Sequence, residues 1–235
     1  HNILEAGAHW VDSPWRPANN VNDTGLPEPP PFVGDKRIFM AANFYDVSNP
    51  KLRELHRGYI RQCLDNFVRN SNVIQLTSAE YSGPLAFTEF WLDTTIEWER
   101  ETGHDAIVAL SAPKDVQDAI LADPVRAPHV DVIDIRFWAY TADGGLYAPH
   151  GGQNLAPRQH LRQTRQKPGG PAAIVKAVRE YRNRFPEKTV IYSAEENCPS
   201  VRDGWAVLIA GGSLADVKLP VELARKIPSM HPIEG

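Results

Sequence analysis

Two segments of the sequence place glutamates directly after short apolar runs of the kind that form buried strands. In NVIQLTSAEY, Glu80 follows the run at residues 72–77, and in TVIYSAEEN, Glu195 and Glu196 follow the run at residues 189–192. Two carboxyl groups in one cleft can cleave a glycosidic bond, because a protonated carboxyl assists the leaving oxygen while a carboxylate attacks the anomeric carbon or activates water. A partly desolvated, negative environment raises the pKa of one group, which then serves as the acid. These glutamates are therefore the candidate catalytic residues.

Polar and aromatic side chains also follow the other apolar runs. In chain order, the residues at these positions are His9, Trp10 and Asp12; Thr77 and Ser78; Ser111, Lys114 and Asp115; Arg136, Trp138 and Tyr140; Ser193 and Asn197; and Ser213. Because flat sugar faces stack on aromatic rings, Trp10, Trp138 and Tyr140 are predicted sugar contacts, and His9 and Arg136 are predicted to bind hydroxyl groups. The alternative for His9 and Arg136 is hydrogen bonding within the loops. A single glutamate at a strand end is commonly a surface or capping group, whereas the pair favours catalysis.

The elements that must position these residues alternate between strand and helix. Strands are predicted at residues 3–9, 72–77, 106–110, 130–135, 189–192 and 206–209, and helices at residues 49–68, after Glu80 up to a C-cap at Gly103, at 116–121 and at 172–184. Strands that read as continuous apolar runs between helices indicate a parallel sheet that is covered on both faces.

A parallel sheet of this kind is either a barrel or a doubly wound sheet. The sequence contains no GxGxxG or GxxxxGK[ST] loop, which doubly wound sheets often use after the first strand, so the prediction is a (β/α)8 TIM-type barrel. In such a barrel the active site lies at the carboxyl ends of the strands. The residues after each apolar run would then line one mouth.

Composition excludes several other classes of protein. The chain has 235 residues, of which 42% are hydrophobic and 23% charged, and this suits one barrel domain over residues 1–235. A net charge of -4 gives no general attraction to nucleic acid, and the basic stretch at residues 158–167 has no interleaved aromatic residues. No apolar run is long enough to cross a membrane. Cys63 and Cys198 lack metal-site spacing, and neither a metal nor an organic cofactor is expected.

Six long stretches carry a resemblance to a known family. They are HNILEAGAHWVDSPWRPANN (residues 1–20), GDKRIFMAANFYDV (34–47), NVIQLTSAEYSGPL (72–85), KDVQDAILADP (114–124), VDVIDIRFWAY (130–140) and GGQNLAPRQH (151–160). On these stretches the chain resembles a family of bacterial glycoside hydrolases of the clan A type. Such proteins often occur in polysaccharide-degrading Bacteroidetes and Planctomycetes, and they often carry a C-terminal collagen-binding-like domain.

The resemblance implies roles for the two acidic segments. Clan A enzymes place the acid/base at the end of the fourth strand and the nucleophile at the end of the seventh. If the strand at residues 72–77 is the fourth, Glu80 becomes the acid/base and Glu195 the nucleophile, with Glu196 as its substitute. Ala79 stands where clan A enzymes usually have an asparagine for the sugar 2-hydroxyl, so Ser78 or Asn197 is the expected replacement for that contact.

The resemblance also implies an incomplete barrel. It makes residues 2–9 the third strand, so strands three to eight are present, and a further N-terminal segment of the same protein would supply the first two. The expected protein is a secreted or periplasmic glycosidase that degrades a plant or microbial polysaccharide or oligosaccharide by a retaining mechanism.

Two other functions fit the same residues. The first is a non-catalytic carbohydrate-binding barrel fragment. The second is a metal-dependent hydrolase on a TIM barrel, which would use His9, Asp12 and the glutamates.

Overall fold

The computed structural model of the protein describes residues 13–28, 41–77, 83–151, 169–193, 201–213, 217 and 220–226. The helices are α1 (Ala41–Phe44), α2 (Pro50–Asn66), α3 (Leu85–Thr102), α4 (Lys114–Ala122), α5 (Pro171–Arg184), α6 (Val201–Ile209) and α7 (Val221–Ala224). The strands are β1 (Ile74–Leu76), β2 (Ile107–Ser111), β3 (Val132–Ile135), β4 (Ala139–Tyr140), β5 (Leu146–Tyr147) and β6 (Thr189–Tyr192), and short 3-10 helices lie at Pro17–Asn19 and Ala127–His129. The described residues therefore form a mixed α/β fold.

The long helices begin and end where the sequence predicts. At the start of α2, the Asn49 side chain accepts hydrogen bonds from the backbone N–H groups of Lys51 and Leu52 at 3.0 and 3.3 Å. At the end of α3, Gly103 adopts the left-handed conformation (φ 71°) that favours glycine, and its N–H donates to Glu99 O. The predictions for these two helices are confirmed, as is that for α5.

Four strands form one parallel sheet in the order in which the chain visits them. The order is β1-β2-β3-β6, and every neighbouring pair is parallel. After α6 the chain returns to the same sheet, where Ser213 forms a parallel bridge with Ile191 of β6. The predicted strands at residues 72–77, 106–110, 130–135 and 189–192 are confirmed as parts of this sheet. The predicted strand at residues 3–9 lies outside the described residues.

The sheet buries side chains on both of its faces. On one face, side chains of β2, β3 and β6 join the large core that contains residues of α3, α4 and α5. On the opposite face, which we call the second face, Ala109, Val132 and Ile191 form a separate buried cluster. Because successive side chains of a strand point to opposite faces, the two clusters interleave along each strand. The central strands are therefore covered on both sides.

Gln117 of α4 ties the large core together. Its side chain is fully buried, and Nε2 donates to Leu110 O at 2.8 Å and to Asp134 O at 2.7 Å. Its Oε1 accepts a hydrogen bond from Trp138 Nε1 at 2.8 Å. One side chain thus joins β2, β3 and the segment after β3.

The predicted strand at residues 206–209 is wrong, because these residues lie in α6. The buried positions Asp203, Ala206, Val207 and Ala210 follow helical spacing, whereas Trp205 and Ile209 are exposed. Gly211 then adopts a left-handed conformation (φ 84°), and the chain reaches the sheet only at Ser213. Only Ala206 and Val207 of the apolar run are buried, and Ile209 points to the exposed side of the helix.

Residues 139–147 form a small hairpin. Its strands β4 and β5 pair in antiparallel fashion, and Gly144 in the turn has φ 82°. Within the described residues, no helix has the length and apolarity needed to cross a membrane.

Replacing Gln117 by leucine is expected to destabilise the fold by about 2–4 kcal/mol, because buried groups that lose a hydrogen bond each cost roughly 1–3 kcal/mol. Urea unfolding would measure the change in the free energy of unfolding. Gln62→Leu removes an exposed glutamine from α2 and is the matched control, with an expected effect of about 0.5 kcal/mol or less. Equal effects of the two substitutions would contradict the role given to Gln117.

Candidate active site at the carboxyl ends of the strands

Four polar residues meet on the second face at the carboxyl ends of β2, β3 and β6. They are Ser111, Asp134, Arg136 and Ser193, which we call the rim cluster. In the sheet register, Ser111 lies beside Asp134, and Asp134 lies beside Ile191. Arg136 and Ser193 come two residues further along the chain than Asp134 and Ile191. Strand alternation and parallel pairing therefore put Ser111 and Asp134 on one face, and Arg136 and Ser193 follow directly after the last residues of β3 and β6.

Asp134 is the buried acid of this cluster, with only 5% of its surface exposed. Burial raises the pKa of its carboxyl group, because desolvation penalises the charged form. Hydrogen bonds from the hydroxyl and backbone N–H of Ser193, the nearby Ser111 hydroxyl and the charge of Arg136 act in the opposite direction. Among the described residues, Asp134 Oδ1 and Ser111 Oγ still make no hydrogen bond of normal geometry. Burial therefore decides the direction of the shift.

Arg136 lies at the more exposed side of the rim cluster. Its Nη1 is 3.5 Å from Ser193 Oγ, a long contact for a hydrogen bond. The guanidinium is only partly buried, and Ser193 is likewise half-buried. Of the predicted sugar contacts that the structure describes, Arg136 is the one that lies at the carboxyl ends of the parallel strands.

The predicted catalytic residues follow the two outer strands of the four-stranded sheet. Glu80 comes four residues after Leu76, the last residue of β1, and Glu195 comes three residues after Tyr192, the last residue of β6. Because all four strands are parallel, these two strand ends lie at the same edge of the sheet. Glu80, Glu195 and Glu196 themselves lie outside the described residues, as do His9, Trp10, Asp12 and Asn197.

Trp138 lies in the large core and away from the rim cluster. Its side chain is 1% exposed, its Nε1 bonds Gln117, and Lys114 Nζ lies 4.8 Å from the ring centroid. A ring at this depth presents no face to a sugar, so the role predicted for Trp138 is not supported by its position. Since β3 ends at Ile135, its alternation does not extend to Trp138.

Tyr140 faces α5. Its hydroxyl donates to Glu180 Oε2 at 2.7 Å, and Lys176 Nζ lies 3.8 Å from its ring centroid. Burial, together with the carboxylate of Glu180, raises the pKa of Tyr140 to about 12. The ring remains partly exposed, and the structure places it on the helix side of β4.

Two other residues at strand ends form salt bridges within the fold. Lys114 is buried, and its Nζ lies 2.7 Å from both Asp118 Oδ2 and Glu180 Oε1. Asp115 accepts hydrogen bonds from the backbone of Gly151 at 3.1 Å and pairs with His150 at 3.2 Å. Both residues connect α4 to later parts of the chain.

Sequence reasoning recorded Ser111, Arg136 and Ser193 as strand-end residues but missed Asp134. The segment VDVIDI reads as a continuous apolar run, although it contains two aspartates, and one of them, Asp134, lies inside β3. A charged residue inside a buried strand is rare unless it has partners, so the aspartate itself was the signal that could have identified this site.

The described residues contain no group of three or more His, Cys, Asp and Glu that could hold a metal ion.

The fold and the rim cluster describe an α/β protein with a parallel sheet and a polar cluster at the carboxyl ends of its strands. Over residues 1–230 the sequence matches the family described as a domain of unknown function, DUF6298, and the chain belongs to this family. No protein of curated function and no solved structure shows a significant match to the chain.

Asp134→Asn is expected to change how stability depends on pH. Because the folded state raises the pKa of Asp134, it holds this proton more tightly than the unfolded state does. Wild-type stability should therefore fall, relative to the variant, as the pH rises from about 4, the ordinary value for aspartate, through the folded pKa.

Urea unfolding between about pH 4 and pH 8 would measure this difference, since the window starts at the ordinary aspartate pKa. Asp105→Asn, at an exposed aspartate before β2, controls for the loss of one carboxylate. A wild-type protein that gains stability over the variant with rising pH would show that the pKa of Asp134 is lowered on folding.

Proposed function

We propose that this protein is a glycoside hydrolase that uses two carboxyl groups and retains the anomeric configuration. Glu80 is the proposed acid/base, Glu195 the proposed nucleophile, and Glu196 the substitute for Glu195. The observation that carries the proposal is the parallel order of the sheet, because it puts the strand ends that precede both acidic segments on one edge. The rim cluster adds polar side chains at that edge.

The proposed architecture is a (β/α)8 barrel. Connections between parallel neighbouring strands are right-handed in nearly all proteins, so strands that follow chain order carry their helices on one face. In a doubly wound sheet the strand order reverses, which lets helices cover both faces. The order β1-β2-β3-β6 has no reversal, yet the second face is buried at Ala109, Val132 and Ile191. Closure of the sheet on itself would cover that face.

Barrel closure would also bring the two acidic segments together. Three strand spacings of about 4.8 Å separate β1 from β6 by about 14 Å along the sheet. Curvature shortens this distance across the barrel mouth, and two glutamate side chains that point inward would span the remainder.

The proposed reaction has two steps. Glu80 donates its proton to the glycosidic oxygen while the Glu195 carboxylate forms a bond to the anomeric carbon, and the leaving sugar departs as an alcohol. Glu80, now ionised, then takes a proton from water, and that water displaces Glu195 from the anomeric carbon. Two inversions at this carbon give net retention.

Arg136 is the proposed sugar contact within the described residues, and a partly exposed guanidinium can donate to sugar hydroxyls. His9, Trp10, Asp12 and Asn197 are proposed contacts from the loops after the strands. Tyr140 receives a structural role, because its hydroxyl and ring bind side chains of α5. Trp138 receives a structural role in this proposal because it is buried.

A polysaccharide-degrading enzyme meets its substrate outside the cytoplasm, so we propose a secreted or periplasmic location for the protein.

Glu80→Gln is expected to lower kcat/KM on aryl glycosides by about 10²- to 10⁴-fold, the range that proton transfer by one side chain contributes. Glu195→Gln is expected to lower it by at least as much, because the amide cannot form the covalent bond to the anomeric carbon. The measurement is a panel of nitrophenyl glycosides at several pH values. Glu54→Gln, at an exposed glutamate of α2, is the matched control and should keep wild-type activity. Glu196→Gln tests the substitute nucleophile.

Azide would assign the roles of the two glutamates. With Glu80→Ala, azide should attack the glycosyl-enzyme and give a glycosyl azide of retained configuration. With Glu195→Ala, azide should attack the substrate directly and give the inverted product. The opposite pattern would exchange the two roles.

The same assays separate the two other functions. A wild-type protein that binds oligosaccharides but hydrolyses none would overturn the proposal in favour of a carbohydrate-binding protein. Activity that is lost on treatment with EDTA and restored by a divalent ion would favour the metal-dependent hydrolase.

A further inference from the structure

We infer that Asp134 is a positioning residue, which acts through Ser193 to orient the guanidinium of Arg136 towards bound sugar. This inference rests on the proposed function, because it assigns Arg136 a substrate hydroxyl as its ligand. Asp134 itself does not touch the substrate, since its carboxyl group is buried below the exposed side of the rim cluster.

Asp134, Ser193 and Arg136 are neighbours at the carboxyl ends of the adjacent strands β3 and β6. Ser193 lies diagonally across from Asp134, because Ile191 is the direct neighbour of Asp134 in the sheet register. The hydroxyl and the backbone N–H of Ser193 both favour the ionised form of the Asp134 carboxyl group. The same Ser193 hydroxyl oxygen faces Arg136 Nη1 at 3.5 Å. A hydroxyl that donates to a carboxylate is left with its oxygen lone pairs facing the guanidinium. Asp134 therefore decides which way the Ser193 hydroxyl points.

Charge supports the same arrangement. Within the described part of the chain, Arg136 is the charged residue that acts on Asp134, while β2 and the end of β6 contribute the hydroxyls of Ser111 and Ser193. The attraction between carboxylate and guanidinium holds Arg136 above the second face.

Stability alone does not account for a carboxyl group at this position. Its neighbour Ile191 belongs to the buried apolar cluster with Ala109 and Val132, and an apolar side chain at position 134 would extend that cluster. A buried carboxylate carries a desolvation cost, which well-packed apolar replacements often relieve. Asp134 also leaves Oδ1 without a described hydrogen-bond partner. Such a cost is commonly found at functional sites.

The test compares Asp134→Val, Asp134→Asn, Ser193→Ala and Arg136→Met. We expect Asp134→Val to raise KM about 10-fold or more with kcat changed much less, because a misdirected charged hydrogen bond weakens binding in this range. Asp134→Asn keeps an acceptor for Ser193 and should show a smaller rise. Thr88→Val removes a buried hydroxyl of α3 that has no hydrogen-bond partner among the described residues, and it controls for the loss of a buried polar group.

A double-mutant cycle distinguishes positioning from packing. In the Arg136→Met background, Asp134→Val should have no further effect on KM, because the group that it positions is already gone. Full additivity of the two effects, or a KM within twofold of wild type for Asp134→Val, would overturn the inference. If Asp134→Val does not fold, Ser193→Ala replaces it in the cycle, since it removes only the intermediate hydroxyl.

An experiment that needs no activity keeps the two proposals separate. In protein with 15N-labelled arginine, the side-chain Nε–H signal of Arg136, assigned from its absence in Arg136→Met, should be ordered in wild type and less ordered in Asp134→Val. If the wild type hydrolyses no glycoside, the glycosidase proposal fails and this signal alone decides whether Asp134 orients Arg136. An unchanged signal in Asp134→Val would overturn the inference whatever the activity.

Discussion

Parallel pairing of strands in chain order is the constraint on which the rest of this structure depends. Each parallel neighbour requires the chain to return through a helix, so every strand ends at the same edge of the sheet. The carboxyl ends of β1, β2, β3 and β6 therefore share one edge, although they are far apart in sequence. The same constraint determines which side chains pack against the helices and which lie on the second face.

The two faces of the sheet have different chemistry for this reason. On the helix side, the buried side chain of Gln117 bonds two strand carbonyls and the Trp138 indole inside the core. On the second face, the apolar layer of Ala109, Val132 and Ile191 gives way at the strand ends to the rim cluster. A rigid apolar layer below and a polar layer above is the arrangement that holds functional side chains in fixed positions. In the proposed enzyme, the apolar layer is the floor of the cleft.

The sequence predicted regular elements well where local and tertiary signals agree. Residues 189–192 form the strand as predicted, and Gly103 ends α3 as predicted, because β-branched runs and a left-handed glycine are local signals. Residues 206–209 were predicted wrongly, since a four-residue apolar run is equally compatible with a buried strand and with a buried segment of a helix. The spacing of Asp203 with Ala206 and Ala210 identifies the helix only when the window is extended beyond the run.

The site was predictable in outline but not in its inner detail. Strand ends with Ser111, Arg136 and Ser193 were identified because an apolar run followed by polar residues is visible in the sequence. Asp134 was missed and Trp138 was expected at the mouth, because both depend on where β3 stops and which face each side chain takes. Those features are set by pairing with β2, β6 and α4, which no single segment encodes.

In the proposed enzyme, the acidic segments after β1 and β6 meet at the carboxyl ends of the parallel strands. A crystal structure that contains both segments would test it through the distance between the carboxyl groups of Glu80 and Glu195. A retaining glycosidase predicts about 5 to 5.5 Å. A separation of about 6.5 to 9.5 Å would contradict retention, and carboxyl groups at opposite edges of the sheet would contradict the glycosidase proposal itself.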